Sequence, residues 1–332
     1  MIRKLSILAT AAFSFTALST LSVAQDAAVA EAPAKKKDAL SDIKHPLQPL
    51  LWKVEGNGLE KPSYLFGSMH VGDPRVTTLH PLAEKAFVDS DTVATEVDMG
   101  MVAQMKSMAL MMRKEGSLQD DIGDELFKRF DEELKIAKAP MNAKAMNPMK
   151  TWAALLMLGS VEQMNDKRTP LDLVIWNRAG KDKKARWALE TNAEHVGGFD
   201  TLTKDEQVLM MKDMLRGLKF IREEVAKGEV SPLVEMTNTY LKGNAKEIYA
   251  FSQQEDEHSL VGKELKDKFM KLLSDDRNVR MAETIEKKIK AEPAKSHFMV
   301  AGTLHYVGPN NVGDLLRKKG YKVTRIKADE KK

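Results

Sequence analysis

The 332-residue chain contains no cysteine. This absence excludes a disulfide framework, thiolate catalysis and every zinc or iron–sulfur site that needs sulfur ligands. Any metal ion must therefore be bound by His, Asp and Glu side chains. Proline and glycine are also sparse, with 12 and 19 residues, while 43% of the residues are apolar. This composition excludes collagen-like and low-complexity chains and predicts a protein that folds.

A large charge of one sign is missing as well, because 52 Lys and Arg residues stand against 48 Asp and Glu residues. A balance so close to neutral argues against nucleic acid or anionic lipid as a partner. After the N-terminal segment, no run approaches the roughly 20 apolar residues of a transmembrane helix. We therefore expect no nucleic-acid partner and no membrane anchor in the mature chain, while the oligomeric state stays open.

The N-terminal residues have the order of a secretory signal peptide. Arg3 and Lys4 precede an uncharged, largely apolar segment, and Ser22-Val23-Ala24 has the small residues of a cleavage site. We expect residues 1–24 to be removed on export. Residues 25–45 contain almost no large apolar side chains, which predicts a disordered linker. The mature protein is then periplasmic or secreted.

Strand and helix patterns alternate at both ends of the remaining sequence, whereas the middle is almost entirely helical in pattern. Strands are predicted at 51–55, 63–66, 92–97, 297–301 and 321–326. Residues 98–275 predict a helical insertion with a short strand at 185–190. The sequence thus predicts one α/β (α+β) domain over residues 46–327, followed by a charged tail at 328–332. Its central sheet is built from two related strand-turn-helix halves, one at each end of the domain.

One short pattern occurs twice, more than two hundred residues apart. An apolar strand is followed by Gly-Ser-Met-His at residues 67–70 and by Gly-Thr-Leu-His at residues 302–305. Glycine permits a sharp exit from a strand, which places His70 and His305 over the carboxyl edge of the sheet, where open α/β sheets bind ligands. Either histidine alone could be an ordinary turn or core residue. Their recurrence with the same flanks predicts that they face each other.

Two glutamates end predicted strands in the same way. Glu96 closes the strand that begins at Thr92, and Glu190 closes the strand that begins at Ala185. A buried carboxylate needs a partner, so we expect both at the carboxyl edge. Two histidines and a carboxylate can hold a divalent metal ion and leave room for water, which predicts metal-assisted hydrolysis. The predicted ligands are His70, His305 and Glu96, with Glu96 also a candidate general base and Glu190 a second catalytic carboxylate.

Arg277 stands at the start of the last long helix pattern, within Asp276-Arg277-Asn278. Its guanidinium could orient Glu96 through a bidentate pair or stabilise an anionic tetrahedral intermediate. Simple helix capping is the alternative for this segment. We therefore include Arg277 among the candidate catalytic residues.

Other residues have plainer interpretations. Asp98 is predicted to be the N-cap of the helix that follows it. The methionines of that helix share one face, which we interpret as a flexible core or groove face rather than as a copper(I) site; they are Met101, Met105, Met108 and Met112. His195 is interpreted as a capped loop residue, with a lid over the site as the alternative.

In order and spacing, these segments resemble the TraB/GumN family, which includes the Tiki-type proteases and is distantly similar to erythromycin esterases and a haem-binding lipoprotein group. The resemblance spans roughly Pro46 to Lys327 and is carried by Leu51–Glu55, Tyr64–Gly72, Glu96–Asp98, Leu189–Thr191, Asp276–Asn278 and Val300–His305. It implies a site made of His70, His305, Glu96 and Arg277, a manganese- or cobalt-type metal, and peptide or protein substrates.

The residues and the resemblance together predict an exported metal-dependent hydrolase that cleaves peptide or related amide bonds. Its cofactor would be a divalent ion, namely manganese, cobalt or zinc. A second class stays open, in which the same histidines belong to a non-catalytic periplasmic protein that binds haem, a metal or a peptide.

Overall fold

The computed structural model describes residues 40–254 and 256–329. The predicted signal peptide and most of the predicted linker lie outside the described residues, as does the end of the predicted charged tail.

Six strands of the described residues form one mixed sheet in the order β4-β3-β5-β2-β1-β6. They are β1 (Leu51–Glu55), β2 (Ser63–Ser68), β3 (Thr92–Thr95), β4 (Ala185–Ala188), β5 (His297–Gly302) and β6 (Lys322–Ile326). The four strands β4, β3, β5 and β2 are parallel neighbours, and β1 runs antiparallel to both β2 and β6. The predicted α/β class, with a central sheet assembled from both ends of the chain, is confirmed.

Helices surround the sheet and fill the middle of the chain. In chain order they are α1 (Pro74–Thr77), α2 (Pro81–Asp89), α3 (Met101–Met111), α4 (Leu118–Ile122), α5 (Asp124–Ile136), α6 (Ala143–Met146), α7 (Thr151–Gly159), α8 (Leu171–Lys181), α9 (Asn192–Gly197), α10 (Lys204–Ala226), α11 (Pro232–Lys242), α12 (Ala245–Ser252), α13 (Lys263–Met270), α14 (Asp276–Ala291) and α15 (Val312–Lys318). Short 3-10 segments lie at Gly198–Thr201 and Thr303–His305, and a π-helical turn at Lys271–Asp275 joins α13 to α14. None of the helices in the described residues is long and apolar enough to cross a bilayer.

The buried apolar side chains form two clusters. One surrounds the sheet and includes Leu65, Val93 and Phe298, together with residues from α8, α11 and α14. The other lies within the helical region and includes Phe130 and Trp152, which pack with residues of α10 and α13. A helical layer with a core of its own therefore packs beside the sheet, while α8 and α11 pack directly on it.

Two helix starts differ from the prediction. The sequence pattern predicts a helix from Glu257, but the helix begins at Lys263, because the Asp213 carboxylate holds the preceding residues in a loop: it accepts hydrogen bonds from Ser259 Oγ at 2.9 Å and from Leu260 N at 2.7 Å. The N-cap prediction for Asp98 is also wrong. Its Oδ1 accepts a hydrogen bond from Gly100 N at 2.7 Å, and Gly100 is the residue that precedes α3.

The methionine face of α3 is exposed rather than buried. Met101 and Met105 are 80% and 68% exposed, so the core alternative is wrong for them, whereas Met108 packs against the helical cluster. The buried side of α3 carries Ser107 and Met111 instead. It packs on α9, whose Asn192 side chain donates a hydrogen bond to Ala103 O at 3.2 Å.

Candidate active site

The two Gly-x-x-His corners leave the sheet side by side. Strands β2 and β5 are parallel neighbours whose register pairs Ser68 with Gly302. The chain therefore leaves both strands at the same edge of the sheet. His70 and His305 line one cavity of about 140 Å³, together with Glu96 and Arg277. The structure therefore brings the two distant histidines into one pocket with the predicted glutamate and arginine.

The residues of the corners explain how the two turns approach each other so closely. A Cβ atom on Gly302 would lie 3.2 Å from both Glu96 Oε1 and His70 Nε2, so a larger residue would crowd the site. Gly302 N donates a hydrogen bond to Glu96 Oε1 at 2.6 Å. The hydroxyl of Thr303 donates a hydrogen bond to Ser68 O at 2.8 Å, which ties the second corner to the end of β2.

His70 is held by a buried carboxylate. Its Nδ1 donates a hydrogen bond to Asp172 Oδ2 at 2.5 Å, and Asp172 also accepts one from Ser68 Oγ at 2.6 Å. The Nε2 atom of His70 lies 3.6 Å from Glu96 Oε1. Burial alone would lower the pKa of His70, but the charge and the hydrogen bond of Asp172, together with Glu96, raise it to about 10.

His305 is held by an uncharged amide instead. Its Nδ1 donates a hydrogen bond to Asn278 Oδ1 at 2.7 Å, which fixes the ring so that Nε2 lies 3.9 Å from Glu96 Oε2. Burial and the nearby Arg277 guanidinium lower the pKa of His305 to about 4. The two imidazoles thus flank opposite oxygen atoms of one carboxylate.

Arg277 joins the two predicted carboxylates. The ends of β3 and β4 stay paired, since Glu190 N donates to Glu96 O at 2.9 Å. Arg277 Nη2 donates to Glu96 Oε2 at 2.5 Å and also to Glu190 Oε1, while Arg277 Nε donates to Glu190 Oε1 at 2.8 Å. Burial would raise the pKa of both carboxyl groups, but Arg277 holds that of Glu96 well below its usual value and lowers that of Glu190 to about 2.

The structure adds a third histidine to the site. His195 lies on α9, so its interpretation as a loop residue is wrong. It lines the pocket, and its Nδ1 atom is 2.9 Å from Glu190 Oε1. Glu190 itself is buried behind Arg277 and does not line the pocket.

Sequence reasoning did not assign roles to Asp172 and Asn278, the partners of the two histidines. For Asp172 a signal was present, because it occupies the apolar face of α8 with Leu171, Ile175 and Ala179. A carboxylate on such a face needs a buried partner. Asn278 gives no comparable signal, since its side chain is an ordinary helix residue until the fold places it beside His305.

Comparison with known proteins identifies the family of this chain. The sequence model of the TraB/PrgY/gumN family matches residues 50–325. The chain belongs to this family. Curated proteins similar to this chain include the metalloprotease TIKI2 of Xenopus tropicalis. It is 26% identical over 86% of this chain and 61% of its own length. The metalloprotease TIKI2 of Danio rerio is 24% identical over 86% of this chain and 62% of its own length.

The human metalloprotease TIKI1 is 23% identical over 90% of this chain and 66% of its own length. This TraB/PrgY/gumN protein therefore spans about three fifths of the length of the first two relatives. No solved structure gives a significant match.

Two groups of side chains in this family member have donor atoms for a metal ion. Atoms of Glu96, Glu190 and His195 lie within 4.8 Å of one another. However, Arg277 Nη2 is within hydrogen-bond distance of all three residues, so a cation placed there would meet the guanidinium charge. Electrostatics therefore disfavours this first group.

The second group consists of His70 Nε2, His305 Nε2 and the Glu96 carboxylate between them. The separations of 3.6 and 3.9 Å are too long for strong hydrogen bonds. Two ligand atoms that each bind one ion at about 2.1 Å lie at most about 4.2 Å apart, so each imidazole is close enough to share an ion with the Glu96 oxygen beside it. Asp172 and Asn278 are the outer hydrogen-bond partners that metal-binding histidines usually have. The residue types of this second group therefore suit a divalent metal ion, but its ligand atoms are spaced more widely than those of Glu96, Glu190 and His195, which all lie within 4.8 Å of one another.

Proposed function

We propose that this protein is an exported metal-dependent peptidase whose ion is held by His70, His305 and Glu96. One observation carries the proposal: each imidazole is anchored through Nδ1 by a buried polar partner, which leaves both Nε2 atoms directed at one carboxylate. The names of the Tiki relatives support the same reading, since they are metalloproteases. Manganese, cobalt and zinc all suit a site of two imidazoles and a carboxylate.

A divalent ion bound there would act as a Lewis acid toward the carbonyl group of the bond to be cleaved. The protein's own residues hold this site in place. Gly302 N and Arg277 Nη2 each donate to a different oxygen of Glu96, so its carboxylate cannot rotate away from the histidines. Both Glu96 and Glu190 stay ionised at neutral pH because their pKa values are lowered, which suits electrostatic stabilisation better than storing a proton.

The roles of Arg277 and Glu190 follow from their contacts. The Nε, Nη1 and Nη2 atoms of Arg277 all donate to protein acceptors, Nη1 to Leu273 O at 3.1 Å. We assign it as a positioning residue that orients Glu96, with Glu190 as its counter-charge. His195 faces the pocket and is not needed to hold the ion, so it is the candidate for proton transfer to the leaving amine.

Metal titration tests the proposal. The metal-free protein is titrated with manganese, cobalt and zinc, alongside the variants His70→Ala and His305→Ala. His258→Ala is the matched control, because this histidine is exposed and outside the pocket. We expect each site variant to lose at least about 100-fold in affinity for its preferred metal and the control to lose nothing. Equal binding by all four proteins would remove the metal assignment.

Peptide turnover then separates the enzyme from the non-catalytic alternative. Cleavage of a peptide mixture that requires added metal and disappears in Glu96→Gln supports the peptidase. Metal binding without turnover would identify a binding protein, and a visible absorbance band on mixing with haemin would identify a haem carrier.

Export belongs to the proposal because the signal sequence lies outside the described residues. Expression of the full chain in a bacterial host, followed by N-terminal sequencing of the exported product, should give a chain that begins at Gln25. A product that retains residues 1–24 would contradict cleavage at this position.

A further inference from the structure

The pocket that contains the candidate metal site has one polar side and one apolar side. The polar side is formed by the histidines, Glu96 and Arg277. The apolar side is lined by Met236, Ile248, Phe251, Met270, Leu273 and Leu304. An apolar wall supplies no ligand to an ion, but its surface suits an apolar group of a molecule that the pocket binds.

This wall comes from several elements that meet at the carboxyl edge of the sheet. Met236 lies on α11, Phe251 on α12 and Met270 at the end of α13, just before the π-helical turn. All three side chains are only partly buried. Phe251 and Met270 belong to neither of the two apolar clusters of the fold. The apolar surfaces of Phe251 and Met270 are therefore available to the cavity rather than used to fill a core, whereas Met236 also packs against the sheet cluster.

The size of the pocket limits what it can take. Its volume is about 140 Å³. An apolar cavity of about 150 Å³ is large enough to bind benzene, so this space fits one aromatic or branched aliphatic side chain. Burying such a side chain there should favour it over alanine by about 10- to 100-fold.

The pocket adjoins a larger and more polar cavity of about 590 Å³. The two share Ser252, Met270, Ser274 and Leu304, and the larger one continues past Lys266 and Asn278. Polar surroundings of this size suit a peptide backbone with mixed side chains. A chain could thus enter through the larger cavity and end with one side chain in the apolar pocket.

We propose that the substrate is a peptide that places one large apolar side chain, aromatic or branched aliphatic, in this pocket beside the bond to be cleaved. The rest of the peptide lies in the adjoining polar cavity. This inference rests on the proposed function, since it names the substrate side chain that the same site selects. Met236, Phe251 and Met270 are then specificity-determining residues.

Methionine methyl groups provide a direct test without turnover. The full protein with isotope-labelled methionine methyl groups is titrated, by NMR, with the N-acetyl amides of phenylalanine, leucine, alanine and aspartate. We expect the Met236 and Met270 signals to shift at concentrations about tenfold lower for phenylalanine and leucine than for alanine or aspartate. The exposed Met101 and Met105 serve as internal controls and should not move. Equal responses to all four amides, or shifts confined to the exposed methionines, would overturn the proposal.

A matched pair of variants on one helix adds a second test. Met236→Trp should fill the pocket and weaken binding of the phenylalanine amide by at least about tenfold. Val234→Trp places the same indole two residues away, at an exposed position outside the pocket, and should leave binding unchanged. Phe251→Ala covers the case that Met236→Trp does not fold. It enlarges the pocket and should shift the preference toward the amide of tryptophan, and an unchanged preference would contradict the assignment.

The outcomes for the pocket and for the reaction can be separated. If the wild-type protein cleaves no peptide but binds the phenylalanine amide selectively, the peptidase proposal fails and the pocket stands as a binding site. If it cleaves peptides with no preference for a large apolar residue, the peptidase stands and the pocket assignment fails.

Discussion

The two Gly-x-x-His corners have almost the same sequence and lie on neighbouring parallel strands, yet their histidines differ in charge. The pKa of His70 is raised to about 10, whereas that of His305 is lowered to about 4. The corner residues do not cause this difference. It comes from the surroundings of each ring: the Asp172 carboxylate on Nδ1 raises the pKa of His70, whereas burial and Arg277 lower the pKa of His305, whose Nδ1 partner is the uncharged amide of Asn278.

This contrast shows that a repeated motif can supply geometry without fixing electrostatics. Both corners direct an Nε2 atom at Glu96, but the lone pair of His305 is already free in the metal-free protein. His70 must first lose a proton, because only neutral imidazole binds a metal ion. The two halves of the site thus share a motif but differ in chemistry, and the following predictions test where the difference lies.

The largest effect is expected from removing Arg277, which contributes to the low pKa of His305. Arg277→Met removes the buried guanidinium that pairs with both Glu96 and Glu190, which should cost about 3–5 kcal/mol of stability. Urea unfolding of the metal-free protein at neutral pH measures this loss. The double variant Arg277→Met/Glu190→Gln removes one of the two stranded charges and should recover part of it. An unchanged unfolding midpoint in the single variant would contradict the assigned ion pairs.

The next largest effect is expected from removing Asp172 or Asn278, the hydrogen-bond partners of the two histidines. Asp172→Ala and Asn278→Ala should each weaken metal binding by about 10- to 100-fold, because each removes the group that orients one imidazole. Calorimetric titration of both variants gives the values, with the exposed Asp205→Ala as control. If both variants bind like the wild type, the outer partners do not position the ligands.

Exchanging the chemistry of one corner sharpens the comparison further. Asn278→Asp gives His305 a carboxylate partner like that of His70, with little change in side-chain size. The pKa of His305 should rise, because a neighbouring negative charge favours the protonated ring. NMR titration of nitrogen-labelled imidazoles in the metal-free variant measures the shift. A His305 pKa that stays as low as in the wild type would show that burial and Arg277, rather than the partner, determine it.

The smallest effect is expected far from both corners, where a carboxylate has a purely structural role. Asp121 has a lowered pKa: burial would raise it, but hydrogen bonds from Arg113 and Thr151 prevail. Because its folded pKa lies below the unfolded value, its contribution is present at neutral pH and is lost as the pH falls through the folded pKa. Asp121→Asn should thus cost about 1 kcal/mol at neutral pH and little in acid.

Urea unfolding of Asp121→Asn and of the wild type, at neutral pH and in acid, checks this expectation. The metal affinity of the variant should equal that of the wild type. A metal affinity that falls in Asp121→Asn would show that the helical region influences the site, which would weaken the link between each histidine and its own partner.

Much of the site could be predicted from local sequence. The strand patterns, the glycines that end them and the charges at the strand ends are set by neighbours in the chain, and they located His70, His305 and Glu96. Arg277 was predicted from the Asp276-Arg277-Asn278 segment at the start of the last long helix and from the family resemblance. The structure places these four residues in one pocket. Their roles as metal ligands and catalytic groups stay predictions. His195 was underrated because its short helix gives only a weak periodic signal.

The sequence by itself determined the class of the fold, the two corners and the absence of sulfur ligands, because these depend on composition and short-range pattern. Only the tertiary structure decided which partner each histidine has, that Glu190 lies behind Arg277, and that apolar residues from α11, α12 and α13 meet beside the site. Those contacts join residues far apart in the chain, such as His70 and Asp172, which are 102 positions apart. Such pairings are settled by how helices pack on the sheet, which no local pattern records.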